Sequence, residues 1–249
     1  MKQKTQRDGA MRHIALAIAI IVGAIILANA YTYKYKSQEI VTVTGLGETS
    51  FTSDLIVWSG HIEVETKNVE LGYRELEKQK ELVSEFILSK GIPAAATTFD
   101  FVSINKEYES SYGANGNYSG QRFTGYTLVQ PIVIESSDVE AVENMSREIS
   151  SLIASGITIE SYSPAYYYTK LEDVKLSLIE TASADALQRA TKIAEASGAK
   201  LGKVQSAKMG VFQITGANTN EAYAAGGSLN TSSRNKKARI TMKIEYRTK

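Results

Sequence analysis

Hydrophobic and polar positions divide the chain into one long apolar run and a series of shorter segments with regular periods. The apolar run covers 14–28 and contains no charged residue. Seven later segments have the alternation or the β-branched and aromatic content of strands, and turn residues separate them. The predicted strands are 39–47, 54–66, 97–110, 122–135, 157–168, 201–214 and 235–247.

Three segments between these strands carry apolar residues at the 3.6-residue period of an amphipathic helix. Capping signals set their ends, because a polar side chain accepts a hydrogen bond from the first turn and a glycine follows the last turn. The predicted helices are 69–90 with Asn68 as N-cap, a second that starts at the capping box 137–140 and ends at Gly156, and a third that starts at the capping box 169–172 and ends at Gly198.

The order of these elements predicts an α+β fold. Residues 54–110 give strand–helix–strand, and residues 122–168 repeat that order. Together they have the βαββαβ order of a ferredoxin-like core, to which the third helix and the remaining strands are an appended α/β layer. We expect one face of the third helix to pack closely against a neighbour, because its side chains are small. That face consists of Ala182, Ala186, Ala190, Ile193 and Ala194.

The composition changes this picture mainly by exclusion. The 249 residues are 43% hydrophobic, and 28 Lys and Arg stand against 27 Asp and Glu, for a formal net charge of +1. Since nucleic-acid binders usually carry a basic excess, no nucleic-acid partner is predicted. Cysteine is absent, which excludes disulfides, thiolate nucleophiles and cysteine-ligated metals. With only His13 and His61, imidazole chemistry has few candidates.

The N-terminal segment predicts a membrane partner. Four Lys and Arg residues against one Asp precede the apolar run, whose fifteen residues would form a helix about 22 Å long. Continuing the helix through Tyr33 supplies the roughly 30 Å of a hydrocarbon core. We therefore predict a span of the lipid bilayer from Ile14 to Tyr33, with the positive flank in the cytoplasm and the bulk of the chain extracytoplasmic.

A cleavable signal peptide is the alternative, because 28–30 (Ala-Asn-Ala) fits the small-x-small pattern of a cleavage site. The predicted organisation is a basic segment with anchor or signal peptide over 1–33, a linker over 34–38 and one α/β domain over 39–249. A domain of this length buries enough surface to fold without disulfides.

Two groups of residues resemble known sites but are better explained by structure. Gly45 and Gly47 precede a second strand, whereas a phosphate loop needs a third glycine and a helix directly after it. His61 shares the polar face of its strand with Glu63 and Glu65, but no nucleophile motif accompanies them. One histidine with scattered carboxylates is also an incomplete metal shell. A turn and an exposed polar face are the favoured interpretations.

Two further charged groups receive the same interpretation. Glu107 and Glu109 are expected on a solvated hairpin stem, without the cleft that a pair of glycosidase carboxylates needs. The basic cluster 234–239 is expected at an exposed strand start rather than on lipid or nucleic acid. The sequence therefore predicts no enzyme, catalytic residue, metal or cofactor, and it identifies no small-molecule substrate.

Tyrosine clusters are less easily assigned to packing within one chain. Tyrosine is enriched at interfaces because it buries a large area at low entropic cost. Packing within the monomer and contacts with another subunit or a ligand both remain open. The candidate assembly contacts are Tyr108, Tyr112 and Tyr118 in the tip 107–122, and Tyr166, Tyr167 and Tyr168 on one strand.

Four motifs follow one another in a fixed order over 39–248. They are Val43, Gly45 and Gly47 before Asp54, then Gly125-Tyr126, the Gly-Ile turn within 155–159, and the Ala-rich stretch 182–204. Their order and spacing resemble the SIMPL-domain family of periplasmic immunogenic proteins. The tyrosine-rich tip and the Lys- and Arg-rich final strand depart from the family pattern.

This resemblance implies exported α/β domains that assemble into large homo-oligomeric, channel-like rings, with roles in envelope or oxidative stress and no established catalytic residues. We therefore predict a membrane-anchored, extracytoplasmic envelope protein that assembles with itself. A monomeric binding module that presents its loops to a soluble or membrane partner is the alternative. Strand edges, the tip 107–122 and the loop 215–234 are the predicted assembly surfaces, because open edges and long loops invite contacts.

Overall fold

The computed structural model describes residues 2–36, 39–112 and 114–248. Its first helix, α1 (Lys2–Lys36), contains the stretch Leu16–Tyr33, which has a mean hydropathy of 2.0. By length and composition this stretch is long and apolar enough to cross a membrane, a criterion that a signal sequence also meets. The helix includes the first three residues of the predicted linker, whose last two lie outside the described residues.

After α1 the described chain is a mixed α+β fold. The strands are β1 (Ile40–Thr52), β2 (Leu55–Thr66), β3 (Thr97–Phe99), β4 (Ser103–Tyr112), β5 (Tyr118–Ser136), β6 (Ile159–Ser161), β7 (Ala165–Tyr167), β8 (Leu201–Met209), β9 (Gln213–Gly216), β10 (Ser228–Leu229) and β11 (Asn235–Thr248). The further helices are α2 (Val69–Ser89), α3 (Val139–Glu148) and α4 (Leu171–Ala196), and short 3-10 helices cover Ala94–Ala96 and Ile149–Ser155.

These elements belong to two compact units. The first unit comprises the described residues of 1–48, 176–211 and 239–249, and the second comprises those of 49–175 and 212–238. The strands β1 and β11 and the helix α4 therefore contribute residues to both units. The predicted division into an N-terminal segment, a linker and one domain stays a prediction.

The second unit contains an antiparallel sheet in the order β3–β5–β2–β6, in which β4 also pairs with β5 and β7 with β2. The helices α2 and α3 pack against β2 and β5. The predicted inner face of β2 is confirmed, because Ile56, Trp58 and Ile62 are fully buried. The other fully buried members of this core include Leu76, Val83, Leu128, Ile132, Ile134, Val142, Met145 and Ile149.

Helix ends follow the capping signals in two of three cases. The Oδ1 atom of Asn68 accepts the N–H three residues further on at 3.1 Å, as predicted for α2. In α3 the cap is Asp138, one residue later than the start of the predicted capping box. The predicted cap of α4 is wrong, because Thr169 Oγ1 instead donates to Asp54 Oδ2 at 2.7 Å and the helix begins at Leu171.

Three predicted strands are interrupted in the structure. Pro164 lies between β6 and β7, where it has no N–H to give to a ladder. Asp100 lies between β3 and β4, and its carbonyl oxygen accepts a hydrogen bond from Gln130 Nε2 at 3.0 Å. The third interruption, between β8 and β9, includes Gly210, whose N–H donates to Thr241 O at 2.8 Å.

The first unit contains the alanine row of α4. Ala182, Ala186, Ala190 and Ala194 are buried, as predicted. Ile193 is 46% exposed, so its predicted place on this face is wrong. Each i+4 step turns the buried row by about 40° around the helix, and Ile193 lies about 100° away from the neighbouring Ala194. The contact therefore follows the row of small residues and leaves the larger side chain outside it.

Candidate functional site

A long β-hairpin in the second unit, which we call the arm, is the most prominent exposed feature of the described residues. It consists of β4 and the part of β5 that pairs with it, from Ser103 opposite Val129 to Tyr112 opposite Tyr118. Every residue of β4 after Ser103 is exposed. The predicted tip therefore exists as an extended hairpin, and residue 113 at its end lies outside the described residues.

One face of the arm is aromatic. Tyr108 pairs with Phe123, and Tyr112 pairs with Tyr118, so each pair projects to the same side of the hairpin. The ring centroids lie 5.7 Å apart in the first pair and 6.2 Å apart in the second. Tyr126 extends the row, with its ring 5.0 Å from that of Phe123. We call these five side chains the aromatic stripe.

The opposite face of the arm is polar. Glu109 pairs with Arg122 across the two strands, and their charged groups approach to 2.7 Å. Glu107 lies two residues before Glu109 and shares this face under the period of two. The arm is thus amphipathic although both of its faces are open to solvent. An exposed row of aromatic side chains on one such face is typical of an interaction surface.

The sequence identified only part of this stripe. It named Tyr108, Tyr112 and Tyr118, but Phe123 and Tyr126 were missed. Spacings of five and three residues along β5 place these side chains on alternating faces if the strand is regular. Two register shifts, next to Tyr108 and next to Tyr112, bring them to one face. The glycines beside the shifts were the available signal for such irregularity.

The three tyrosines near β7 do not join the stripe. Tyr166 is 8% exposed, and its hydroxyl donates to Glu143 Oε1 at 3.1 Å. Burial, together with this hydrogen bond, raises the pKa of Tyr166 above its ordinary value. The ring of Tyr168 lies 4.6 Å from that of Phe51, whereas Tyr167 is exposed. Packing within the chain accounts for Tyr166, and the assembly role of the other two stays a prediction.

His61 is surrounded by polar partners on the sheet of the second unit. Its Nδ1 atom lies 3.2 Å from the hydroxyl of Tyr162, and its Nε2 atom lies 3.4 Å from Glu160 and 3.9 Å from Glu63. Among the described residues, no group of three or more His, Cys, Asp and Glu side chains is suited to hold a metal ion. The surroundings of His61 agree with the polar face expected from the sequence.

The basic cluster 234–239 is largely engaged inside the protein. Lys236 is 2% exposed, and its ammonium group donates to the carbonyl oxygen of Asn230. Burial lowers the pKa of Lys236 below its ordinary value, and the nearby Glu221 only partly opposes this effect. Arg234 lies 3.0 Å from Glu143. The expectation of an exposed basic strand start is therefore wrong for Lys236, which instead helps to order the loop 215–234.

In the first unit a groove runs beside β1. It has a volume of about 610 Å³ and is lined by Thr42, Val43, Thr44, Gln188, Arg189, Lys192 and Ile193. At its end, Asp185 Oδ2 accepts the backbone N–H of Leu46 at 2.8 Å and lies 2.9 Å from Arg189 Nε. These contacts, first the hydrogen bond from Leu46 and then the guanidinium, lower the pKa of Asp185.

Comparison with known families identifies the chain. The SIMPL family model, described as a protein of unknown function (DUF541), matches residues 41–246. The chain belongs to the SIMPL family. This confirms the resemblance drawn from the motifs, and the SIMPL match includes residues of both compact units. No curated protein matches the chain.

The SIMPL motifs have a structural explanation in the first unit. A Cβ atom at Gly45 would lie 2.0 Å from the carbonyl oxygen of Ala182, and one at Gly47 would lie 2.4 Å from that of Leu178. The two glycines therefore allow the backbone of α4 to approach β1. The family glycines and the Ala-rich helix are two sides of one contact rather than a ligand-binding loop.

Proposed function

We propose that this SIMPL protein is a membrane-anchored, extracytoplasmic envelope protein that assembles with itself into a ring or channel-like particle. Its arm would supply a contact between subunits through the aromatic stripe. A role in envelope or oxidative stress is the physiological context that the family resemblance implies. Neither catalysis nor a cofactor is part of this proposal.

The aromatic stripe is the observation that carries the proposal. Tyr112 and Tyr118, nearest the end of the arm, are 66% and 60% exposed. Leaving large rings in water gives up the free energy that their burial would release, about 25 cal/mol for each Å² of apolar surface. A contact with another chain recovers this free energy, and tyrosine side chains are well suited to it because they lose little conformational entropy.

The N-terminal helix supports the membrane part of the proposal. The stretch Leu16–Tyr33 meets the length and hydropathy of a membrane span. Positive residues before the span favour a cytoplasmic N-terminus, which places the SIMPL region on the other side of the membrane. Anchoring also concentrates the chains in two dimensions, which favours self-association.

The strand order supports a ferredoxin-like architecture for the second unit, which we include in the proposal. The elements follow one another as strand–helix–strand twice, when β3 with β4, and β6 with β7, are each taken as one interrupted strand. The order β3–β5–β2–β6 with antiparallel neighbours is the arrangement expected of a split βαβ fold. In this architecture β4 and β5 form the central hairpin, which explains why the arm extends from the sheet.

The test removes the aromatic character of the arm without changing its length. In the full-length chain, the triple substitution Tyr112→Ser, Tyr118→Ser and Phe123→Ser should convert the detergent-solubilised particle into single chains. Particle mass is measured by light scattering after size exclusion. The matched control replaces Glu109 and Arg122 by serine on the polar face, and we expect it to retain most of the wild-type particle.

Two outcomes would contradict this proposal. A folded aromatic triple variant that retains the wild-type mass would show that the stripe is not a subunit contact. A wild-type chain that is already monomeric would favour the binding module, in which the same exposed arm is presented to another molecule.

A further inference from the structure

The outer edge of β1 has free hydrogen-bonding groups. Thr248 on β11 donates its N–H to the carbonyl oxygen of Glu39 at 2.9 Å, so the odd-numbered positions here face β11. The N–H of Leu46 instead points away from β11 and reaches Asp185. Since backbone groups alternate along a strand, Thr42 and Thr44 also direct their N–H and C=O groups outward. Among the described strands, β1 has only β11 as a neighbour.

Asp185 shows what this edge can bind. Its carboxylate accepts the outward N–H of Leu46, which closes one end of the edge. The next outward groups, at Thr44 and Thr42, open into the groove beside β1, where Arg189 and Lys192 supply two positive charges. The groove thus combines the backbone of an open strand with a cationic wall. An extended segment with acidic side chains fits both features.

From these observations we infer that the groove receives β4 of a second copy of this chain, as an added strand on the edge of β1. This inference rests on the proposed self-assembly and names the surface that the arm contacts. It would join unlike surfaces, the arm of one copy and β1 of the next. Such a head-to-tail contact repeats from copy to copy and gives a ring when the rotation closes.

Charge selects β4 from the other long edge strands of the described chain. The strands β1, β4 and β8 each pair along one side only. A second β1 would bring its own Arg189 and Lys192 to the groove, and β8 carries Lys203 and Lys208. Strand β4 instead carries two glutamates and one lysine. Only β4 therefore brings an excess of negative charge to the cationic wall.

The spacing of the charges also agrees. Glu107 and Glu109 lie on one face of a strand, about 7 Å apart by the rise of 3.3 Å per residue. Arg189 and Lys192 are three positions apart on α4, where side chains are neighbours at about 5–6 Å. With its polar face towards α4, the arm would turn its aromatic stripe to the opposite side of the extended sheet. There the stripe remains available for contacts with the same neighbouring copy.

Proline at the outer edge provides the first test. In Thr44→Pro the lost N–H is one that faces outward, so the pairing of β1 with β11 is retained. We expect the full-length variant to keep a melting temperature close to that of the wild type but to elute as single chains. The matched control is Thr44→Val, which keeps the N–H and should retain the wild-type particle mass.

Charge reversal provides a second test that does not alter the backbone. Lys192 is exposed, and its ion pair with Glu195 at 3.3 Å is a surface contact of small expected value. We expect Lys192→Glu to reduce the assembled fraction at low salt by at least about tenfold, and Glu107→Lys to do the same. The double variant Lys192→Glu with Glu107→Lys should restore assembly, because the two charges exchange places.

The outcomes separate this inference from the proposed function. If the aromatic triple variant dissociates while Thr44→Pro and Lys192→Glu assemble like the wild type, the groove is not the acceptor and self-assembly through the arm still stands. If Thr44→Pro is misfolded, the charge pair decides, and failure of the double variant to restore assembly overturns the inference. Restoration by the double variant together with loss in each single variant supports it.

Discussion

Replacing Gly45 by alanine should lower the melting temperature of this protein more than other Gly→Ala changes in its SIMPL region that lack backbone contacts. The added Cβ atom would lie 2.0 Å from the carbonyl oxygen of Ala182 and 2.5 Å from the N atom of Ala186. Both are backbone atoms of α4, so a rotamer change cannot relieve the contact. The helix would have to move away from β1, and overpacking of this kind costs about 1–3 kcal/mol.

The measurement is thermal unfolding of the full-length chain followed by circular dichroism. Gly226→Ala is the matched control, because a Cβ atom there would meet nothing within 4 Å. We expect the control to unfold close to the wild-type temperature. Equal melting temperatures for Gly45→Ala and Gly226→Ala would show that α4 does not approach β1 as closely as described.

Replacing Trp58 by alanine should cause the largest loss of stability in the second unit. The side chain is fully buried, and its Nε1 atom donates to Ser161 Oγ at 3.0 Å. Removing a buried aromatic side chain leaves a cavity and costs about 3–5 kcal/mol. The midpoint of urea unfolding should fall accordingly. Far-ultraviolet circular dichroism is the appropriate signal, because Trp58 is the only tryptophan of the chain.

Phe101→Ala is a suitable comparison for this prediction, since Phe101 is an aromatic residue of the same unit with 79% exposure. Its removal should change the unfolding midpoint by little. A Trp58→Ala variant as stable as Phe101→Ala would contradict the assigned core. Loss of assembly in Trp58→Ala without loss of stability would also contradict it, because Trp58 reaches no surface.

The parts of the fold predicted correctly from the sequence are those that depend on one strong periodic signal. The two faces of β2 follow from strict alternation around Trp58, and the buried alanine row follows from a spacing of four residues in α4. Predictions were wrong where a distant contact intervenes. Thr169 has the sequence of a helix cap, but Asp54 attracts its hydroxyl across more than a hundred residues.

Long-range pairing also limited what the sequence could say about the site. The aromatic stripe was only partly visible, because register shifts in β4 and β5 decide on which face Phe123 and Tyr126 lie. Lys236 belongs to a run of basic residues that looks exposed, yet Asn230 provides its buried partner. The groove beside β1 could not be predicted at all, since it depends on how α4 lies beside that strand.

The mass of the wild-type particle is the most direct test of self-assembly. The full-length chain is extracted from membranes in a mild detergent, and its protein mass is measured by light scattering over a range of concentrations. Our account predicts a defined particle several times heavier than the 27.2 kDa of one chain. A protein mass of one chain at every concentration would contradict it.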